Sequence, residues 1–315
     1  MRKKTGAPLL DIKKALTATG FNFESALDEL RRRGLAATRR SQGRTATEGL
    51  VGIKVSDCGR FAAVVEVNAE TDFVSRTKTF QELVRSALDA VITAKSSWES
   101  LANSEGGISL DKLEALPTSA SQLLGEAVSV TAARLRENVC LRRAYVMTAR
   151  NSEKAEKDEF IGYYLHGQIT PDLGRQVALV KLKGFSAQAS FTLDISSKLA
   201  MHIVAARPGF LKPCHVSDAV VAREADIIRE RPEHKTKSPK LVQTIVEGQL
   251  AKFYSENCLV KQKFVMDSST TVADWLERAH GGLEVVRFVR VKLGEGIDAK
   301  SKDFAAVVAA TATET

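Results

Sequence analysis

The sequence predicts an α+β protein, in which a short helical segment precedes two units that each combine strands and helices. Apolar residues alternate with a period of two at residues 51–67 and again at residues 177–183, which is typical of β-strands. Elsewhere they recur at helical spacing, as in residues 80–91. With 315 residues, of which 44% are hydrophobic, the chain can bury the cores of two or three such units.

The N-terminal segment is predicted to form short helices separated by turn residues. One helix runs from Leu9 to about Thr17, and the next is expected to begin at Asn22, a good N-cap residue, and to stop at Gly34. Residues 1–60 carry 13 Lys and Arg against 6 Asp and Glu, whereas the rest of the chain is almost neutral. Such a basic head attracts RNA, an acidic protein or an import machinery, or it is simply a solvated helical face.

The first α+β unit is predicted to begin with a β-hairpin, because alternating residues from Leu50 to Val55 and from Phe61 to Val67 flank a turn. An amphipathic helix from Phe80 to Val91 follows. Residues 96–121 are expected to form a loop with at most one short helix. The remaining elements of this unit are a helix near residues 127–136 and a strand near residues 139–149.

The polar run at residues 151–159 predicts the boundary of a second unit. The polar segment 231–238 separates two helical patterns, which are therefore expected to fold back as an antiparallel hairpin. The elements predicted beyond the boundary are strands near residues 161–166 and 177–183, a helix through residues 199–206, the hairpin helices at about 217–230 and 239–254, a helix near 272–279 and a strand near 284–293.

The sequence contains few features of an enzyme. The cysteines Cys58, Cys140, Cys214 and Cys258 lie far apart, and the five histidines form no clustered ligand set. There is no GxxxxGK[ST] loop, no complete dinucleotide fingerprint and no GxSxG elbow. No apolar run reaches the roughly 18 residues that cross a bilayer. We therefore expect no enzymatic activity, cofactor, metal, direct nucleotide binding or membrane span.

The segment Thr71-Asp72-Phe73-Val74 follows the second predicted strand and allows two interpretations. The pattern alone favours a core position for Phe73, with Asp72 as the cap of the following helix. Alternatively, Phe73 is an exposed aromatic anchor, presented to a partner from a loop on a rigid scaffold. Residue spacing does not distinguish between these alternatives.

Three stretches of the chain resemble those of one known family. They are RKKTGAPLLDIKKAL at residues 2–16, EVNAETDFV at residues 66–74, and GEGI with DFAA at residues 294–297 and 303–306. Shorter matches are MHIVA at 201–205 and VEG at 246–248. In this order, over almost the whole chain, they are similar to the translation elongation factor Ts proteins, which are nucleotide exchange factors for the GTPase elongation factor Tu.

The resemblance implies a three-part architecture. Residues 1–47 would form a three-helix ubiquitin-associated-like domain, its first helix truncated, and a linker. Residues 48–155 would form a core N-subdomain and residues 156–315 a core C-subdomain, each an antiparallel sheet with packed helices. The helical hairpin, at about 217–254, belongs to the second subdomain.

The resemblance also implies which residues bind elongation factor Tu. In the family, the Asp and Phe of the TDFV motif insert between helices of the GTPase domain and disturb its magnesium site. A histidine before a glycine displaces the phosphate-binding segment, and an arginine and two apolar residues of the N-terminal domain also contact the GTPase. The corresponding residues of this chain are Arg2, Leu9, Leu10, Thr71, Asp72, Phe73, Val74, His166 and Gly167. Compared with the family pattern, residues 168–174 are inserted after His166.

Location and other interactions are predicted less directly. The pI of about 9.3 and the insertions resemble mitochondrial members, so a mitochondrial location is predicted ahead of a bacterial cytoplasm. A second function stays open, in which the basic head binds RNA or the N-terminal helices bind other proteins. Phe21 and Phe23 are expected to be core residues rather than a stacking platform for RNA. Apolar residues of the helical hairpin fit either self-association or internal packing, and examples are Ile227, Ile228, Val242 and Ile245.

Overall fold

The computed structural model describes residues 1, 9–30, 32, 44–56, 59–150, 158–185, 189–234, 238–279 and 281–297. Its helices and antiparallel sheets confirm the predicted α+β class. In this part of the chain the strands are β1 (Glu48–Val55), β2 (Phe61–Ala69), β3 (Gly107–Ile108), β4 (Val139–Thr148), β5 (Asp158–His166), β6 (Leu173–Gly174), β7 (Gln176–Phe185), β8 (Lys263–Phe264), β9 (Asp267–Thr271) and β10 (Glu284–Lys292). The α-helices are α1 (Leu9–Ala18), α2 (23–30), α3 (Asp72–Ser75), α4 (Lys78–Thr93), α5 (Trp98–Leu101), α6 (Leu110–Glu114), α7 (Leu124–Leu135), α8 (Ala189–Ala206), α9 (Asp218–Arg229), α10 (Pro239–Asn257) and α11 (Val272–Ala279).

Two helices of the predicted N-terminal bundle lie in the described residues. The side chain of Asn22 accepts a hydrogen bond from the backbone N–H of Ser25 at 3.0 Å, as expected for the N-cap of α2. The prediction that Phe21 and Phe23 are core residues is wrong, since they are 75% and 41% exposed. Phe21 lies in the turn between the helices with a left-handed φ of 63°, whereas small and aliphatic residues are the buried ones: Ile12, Ala15 and Ala26. The expected third helix and Arg2 lie outside the described residues.

The first sheet has the order β3-β4-β2-β1-β6 with antiparallel neighbours. The predicted hairpin is confirmed, because β1 pairs with β2 from Glu48 opposite Ala69 to Val55 opposite Ala62. Strand β6 pairs with β1 although it comes much later in the chain, in the segment that follows His166. A piece of chain beyond the predicted boundary at 151–159 is therefore part of the first sheet.

The prediction of a loop with at most one short helix at residues 96–121 is incomplete. The segment contains α5, α6 and β3, and its residues Trp98 and Leu113 are buried in the core of the first unit. The Trp98 indole N–H donates to the backbone carbonyl of Val91 at 2.8 Å, which attaches α5 to the end of α4. Tertiary burial thus stabilises helices that are too short to show a hydrophobic period.

Strands β5, β7 and β10 form a second sheet in the order β10-β7-β5, and the two sheets pack face to face. Their shared core includes Val51 and Val64 from the first sheet and Leu165 and Val177 from the second. The outer face of the first sheet carries α4 and α7, and that of the second carries α8. Because β1 and β2 lie between a helix layer and another sheet, both of their faces are buried.

The predicted helical hairpin is confirmed as α9 and α10, which pack on each other. Their contact buries Ala225, Ile228 and Val246, with Val242 and Ile245 partly buried beside them. Ile227 is 47% exposed. Most of the apolar residues whose role the sequence left open therefore serve internal packing.

A buried carboxylate attaches the C-terminal GEGI motif to the first sheet. Glu66 is completely buried and accepts hydrogen bonds from Arg142 at 2.8 Å, Arg143 at 2.6 Å and the backbone N–H of Gly294 at 2.8 Å. Gly294 has φ of 70°, and a Cβ atom there would lie 2.5 Å from the carbonyl oxygen of Thr47. Only glycine fits this close approach without a backbone shift.

Candidate functional site

The TDFV segment forms an exposed turn of helix between β2 and α4. Thr71 is the N-cap residue of α3, Phe73 is 76% exposed and the next residue, Val74, is 7% exposed. The interpretation of Phe73 as a core residue is therefore wrong. Asp72 does not cap α4 either: it binds Arg76 at 3.1 Å, and the cap of α4 is Thr77, whose hydroxyl accepts from the N–H of Phe80.

Thr71 is held by a carboxylate from a distant part of the chain. Its backbone N–H and its hydroxyl donate to the two oxygens of Glu137, at 3.0 and 2.6 Å. The hydroxyl makes no capping hydrogen bond to α3. Glu137, which lies between α7 and β4, thus binds the turn at its first residue.

The neighbours of Glu137 bind two further segments. The backbone N–H of Asn138 donates to Glu70 at 2.6 Å, and its side-chain amide donates to the carbonyl oxygen of Arg44 at 2.7 Å. The guanidinium of Arg136 lies 3.1 Å from the carboxylate of Asp11 in α1. The tripeptide 136–138 therefore contacts the N-terminal helix, the segment before β1 and the TDFV segment.

Helix α1, which contacts this tripeptide through Asp11, begins with two exposed apolar side chains. Leu9 and Leu10 are 62% and 59% exposed and directly precede Asp11. The ion pair between Asp11 and Arg136 places the beginning of α1 close to the segment that Glu137 binds. Leu9 and Leu10 are thus linked to the TDFV segment only indirectly, through Asp11 and the adjacent residues Arg136 and Glu137.

His166 is exposed and is the last residue of β5. Its Nδ1 lies 3.4 Å from the hydroxyl of Tyr164, and its carbonyl oxygen accepts from the N–H of Arg175 at 3.0 Å. Gly167 has a left-handed φ of 64°, and a Cβ atom there would lie 3.2 Å from that of Arg175. The glycine is required because the chain turns sharply immediately after the histidine.

The segment after His166, residues 168–174, is attached to the first unit by an ion pair. The guanidinium of Arg85, in α4, donates to both carboxylate oxygens of Asp172 at 2.7 and 3.0 Å, and to the hydroxyl of Thr170 at 3.1 Å. The hydrogen bonds from Arg85 hold the pKa of Asp172 below its usual value, and those to Asp172 raise the pKa of Arg85. Leu173 then enters the core of the first unit.

The loops of Phe73 and His166 are therefore connected through one helix. Helix α4 begins at Lys78, shortly after the TDFV segment, and carries the Arg85 that holds the His166 loop. Sequence reasoning missed Glu137, Arg85 and Asp172. Nothing in the local pattern indicates them, because Thr71 and Glu137 are 66 residues apart and Arg85 and Asp172 are 87 apart.

Within the described ranges, no group of three or more His, Cys, Asp or Glu side chains could hold a metal ion. The same residues include no helix long and apolar enough to cross a membrane. The predicted site residues that the structure describes are an exposed aromatic ring beside a carboxylate and an exposed imidazole, both on anchored loops, and two exposed leucines at the beginning of α1. These features are typical of a protein-binding surface.

Comparison with known proteins identifies the family. The family model described as "Elongation factor TS" matches residues 70–295. The chain is 40% identical to "Elongation factor Ts, mitochondrial" of Ostreococcus tauri, in an alignment that covers 98% of this chain and 90% of that protein. It is 38% identical to "Elongation factor Ts" of Rhodospirillum rubrum, with 98% of this chain and 95% of that protein covered. The corresponding protein of Zymomonas mobilis is 36% identical, with coverage of 99% and 96%. With the TDFV turn and the histidine in the order that the resemblance implied, the chain belongs to the elongation factor Ts family.

Proposed function

We propose that this protein is a guanine nucleotide exchange factor that binds elongation factor Tu in its GDP form and promotes GDP release during translation elongation. Membership of the elongation factor Ts family supports this function. The observation that carries it is the 76% exposure of Phe73, a large apolar side chain beside a carboxylate on an anchored turn. Exposure of such a side chain to water costs free energy, and this free energy is regained when a partner buries the side chain.

In the proposed complex, Asp72 and Phe73 enter between helices of the GTPase domain and disturb the magnesium site. Thr71 and Val74 hold this turn in place, since one binds Glu137 and the other is buried. Removal of the magnesium ion from its ligands takes away the largest positive charge that offsets the diphosphate. GDP is therefore held less tightly.

The other predicted residues provide further contacts in this proposal. His166, which is exposed and directly precedes the turn at Gly167, helps to displace the segment that binds the phosphates. Leu9 and Leu10, both exposed, add apolar area to the proposed interface. Arg2 is proposed as a contact on the family resemblance alone, because it lies outside the described residues.

The proposed reaction requires no covalent step by this chain. Suppose that this protein binds the nucleotide-free GTPase more tightly than it binds the GDP form. By thermodynamic reciprocity, the affinity of the GTPase for GDP is then reduced by the same ratio when this protein is bound. GTP, present in excess, refills the site and the factor dissociates. Interfaces that differ between two states of the partner are sufficient for this function.

Release of a fluorescent GDP from elongation factor Tu, followed by stopped flow, tests the proposal. Wild type is expected to accelerate release, and Phe73→Ala should reduce the acceleration about thirtyfold or more, because a buried aromatic anchor contributes about 2 kcal/mol or more. Asp72→Ala is expected to reduce it as well. Each variant is checked for an unchanged melting temperature.

Leu110→Ala serves as a matched control, since Leu110 is 43% exposed on α6, outside the proposed contacts. It should leave the acceleration unchanged. If wild type does not alter GDP release from either a mitochondrial or a bacterial elongation factor Tu, the proposed function is wrong. Binding of RNA by the basic head would then be the next property to measure.

We propose a mitochondrial location for this activity. The basic pI of about 9.3 and the 40% identity to a protein named as mitochondrial support it. Bacterial relatives are of similar identity, so the alternative is a bacterial cytoplasm. Immunofluorescence of the source cells with a mitochondrial marker distinguishes the two, and absence of co-localisation would contradict the proposal.

A further inference from the structure

Glu137 uses both of its carboxylate oxygens on one residue, Thr71. The backbone N–H of Thr71 donates to one oxygen at 3.0 Å and its hydroxyl donates to the other at 2.6 Å. Hydrogen bonds to a carboxylate are about twice as strong as those between neutral groups. This pair of bonds fixes both the backbone and the side chain of the residue that precedes Asp72 and Phe73.

Apart from the bonds to Glu137, the hydrogen bonds that the structure gives for the turn carrying Phe73 are local, within residues 71–81. Helix α3 has only four residues, and the Thr71 hydroxyl, which would normally cap it, is given to Glu137 instead. Phe73 itself is 76% exposed and is not oriented by packing. Val74 and Ser75 are buried, and the Ser75 hydroxyl donates to the carbonyl oxygen of Asp72 at 2.6 Å. The Thr77 hydroxyl donates to the carbonyl oxygen of Val74 at 2.7 Å, and Asp72 contacts Arg76 at 3.1 Å on the surface.

Glu137, in contrast, is held firmly on both sides. Arg136 ends α7 in a left-handed conformation, with φ of 60°, and its N–H donates to the carbonyl oxygen of Ala132. Asn138 is 5% exposed and is bound to Glu70 and to the backbone of Arg44. The carboxylate is thus presented from a short, well-bonded connection between a helix and a strand.

We propose that Glu137 is a positioning residue for nucleotide exchange. By binding Thr71 it holds Asp72 and Phe73 in the orientation in which they enter the partner, so that little ordering remains to be done on binding. Glu137 acts through the turn and contacts neither the GTPase nor the nucleotide. The inference rests on the proposed exchange function and identifies a residue outside the TDFV motif on which that function depends.

Hydrogen–deuterium exchange of the free, full-length protein tests the structural half of the proposal without any partner. Glu137→Gln replaces one charged acceptor by a neutral one and places an amide donor near the Thr71 N–H and hydroxyl. Deuterium uptake in a peptide covering residues 71–76 is expected to become at least about tenfold faster. Uptake in residues 80–93 of α4 should not change. Equal uptake of wild type and variant at residues 71–76 would overturn the proposal, and so would an increase of the same size throughout α4.

A double-mutant cycle on fluorescent GDP release tests the functional half. Glu137→Gln is expected to reduce the acceleration about fivefold in the wild-type background, the effect of about one ordinary hydrogen bond, since Gln keeps a neutral acceptor. In the Phe73→Ala background, Glu137→Gln should reduce the acceleration of GDP release by less than about twofold. These rates are measured at exchange-factor concentrations that give a clear residual acceleration. An equal loss in both backgrounds, with wild type active, would show that Glu137 does not act through Phe73 and would overturn the inference while the exchange function stands.

Two variants complete the design. Thr71→Val removes the hydroxyl from the other side of the contact, so it should reproduce the Glu137→Gln effects and add little to them. Glu99→Gln changes an exposed carboxylate on α5 and serves as the control that should alter neither readout. If wild type itself fails to accelerate GDP release, the exchange function is wrong, and the proposed role in exchange is overturned with it even where the deuterium result holds.

Discussion

The loops of Phe73 and His166 each combine an exposed side chain, a buried apolar residue and an anchoring carboxylate, but the carboxylate comes from a different place in each loop. In the Phe73 loop, residues 71–76, the exposed ring is followed by buried Val74, and the anchoring carboxylate, Glu137, comes from another segment. In the His166 loop, residues 166–174, the exposed imidazole is followed by buried Leu173. Here the anchoring carboxylate is the loop's own Asp172, which binds Arg85 of α4.

The residue that each anchoring carboxylate binds determines which part of the loop it fixes. Glu137 binds the residue two positions before Phe73, so it holds the start of the turn that carries the ring. Asp172 lies six residues after His166 and fixes the far end of its loop, whereas the histidine is held as the last paired residue of β5, opposite Gln176. A side chain at the end of a strand is already positioned by the sheet. A side chain on a single helical turn requires a separate anchor.

The largest effect is expected at the buried end of the His166 loop. Leu173 is completely buried in the core of the first unit, so Leu173→Ala should lower the free energy of unfolding by about 2–5 kcal/mol. Urea denaturation measures the change. Ile169→Ala, in the same loop but 39% exposed, should stay within about 0.5 kcal/mol of wild type. A loss below about 1 kcal/mol for Leu173→Ala would mean that β6 does not join the two units.

The second prediction compares the two exposed side chains. Phe73→Ala should reduce stimulated GDP release about thirtyfold or more. His166→Ala should reduce it by about tenfold or less, because the histidine is expected to contribute about one hydrogen bond to the partner. Both side chains are exposed, so the free energy of unfolding should change by less than about 0.5 kcal/mol in either variant. Stopped-flow rates and urea denaturation provide the two measurements. A larger activity loss for His166→Ala would reverse the ranking of the two loops.

The third prediction concerns the pH dependence of the Asp172 anchor. Its pKa in the folded protein lies below the usual value of 3.8, so its stabilising contribution is complete above that value and is lost as the pH falls through the lower folded pKa. Asp172→Asn should therefore be less stable than wild type by about 1 kcal/mol at neutral pH, because the ion pair is partly exposed. The difference should shrink in strongly acidic solution. Urea denaturation across this pH range measures it, and a constant difference would exclude the ion pair as its cause.

The smallest effect is expected where the Phe73 loop is connected to the N-terminal helix. Arg136 and Asp11 are 63% and 41% exposed, so Arg136→Ala should cost at most about 1 kcal/mol of stability. The cost should fall further when the salt concentration is raised from about 0.05 M to about 0.5 M, because salt screens exposed pairs. Arg60→Ala, a change of another surface arginine, is the control. A cost that is unaffected by salt would contradict an electrostatic contact.

The sequence predicted the long elements of the fold well, because each has a clear hydrophobic period. The β1–β2 hairpin, helix α4 and the α9–α10 hairpin are examples. It missed strand β6 and the short helices α5 and α6, since two to five residues are too few to show a period and these elements exist through tertiary contacts. It also placed Phe21 in a core, because the sequence of a turn does not show whether the rest of the fold covers its apolar side chains.

For the candidate site, the sequence by itself determined the family and the identity of the motif residues, since these are local strings of letters. Only the tertiary structure decided that Phe73 is exposed and Val74 is buried, because exposure depends on what packs against each side of a segment. Likewise, only the fold brings Glu137 to Thr71 and Asp172 to Arg85. Partners that are 66 and 87 residues apart come into contact only when the β-sheets and helices assemble, and no local sequence pattern predicts these contacts.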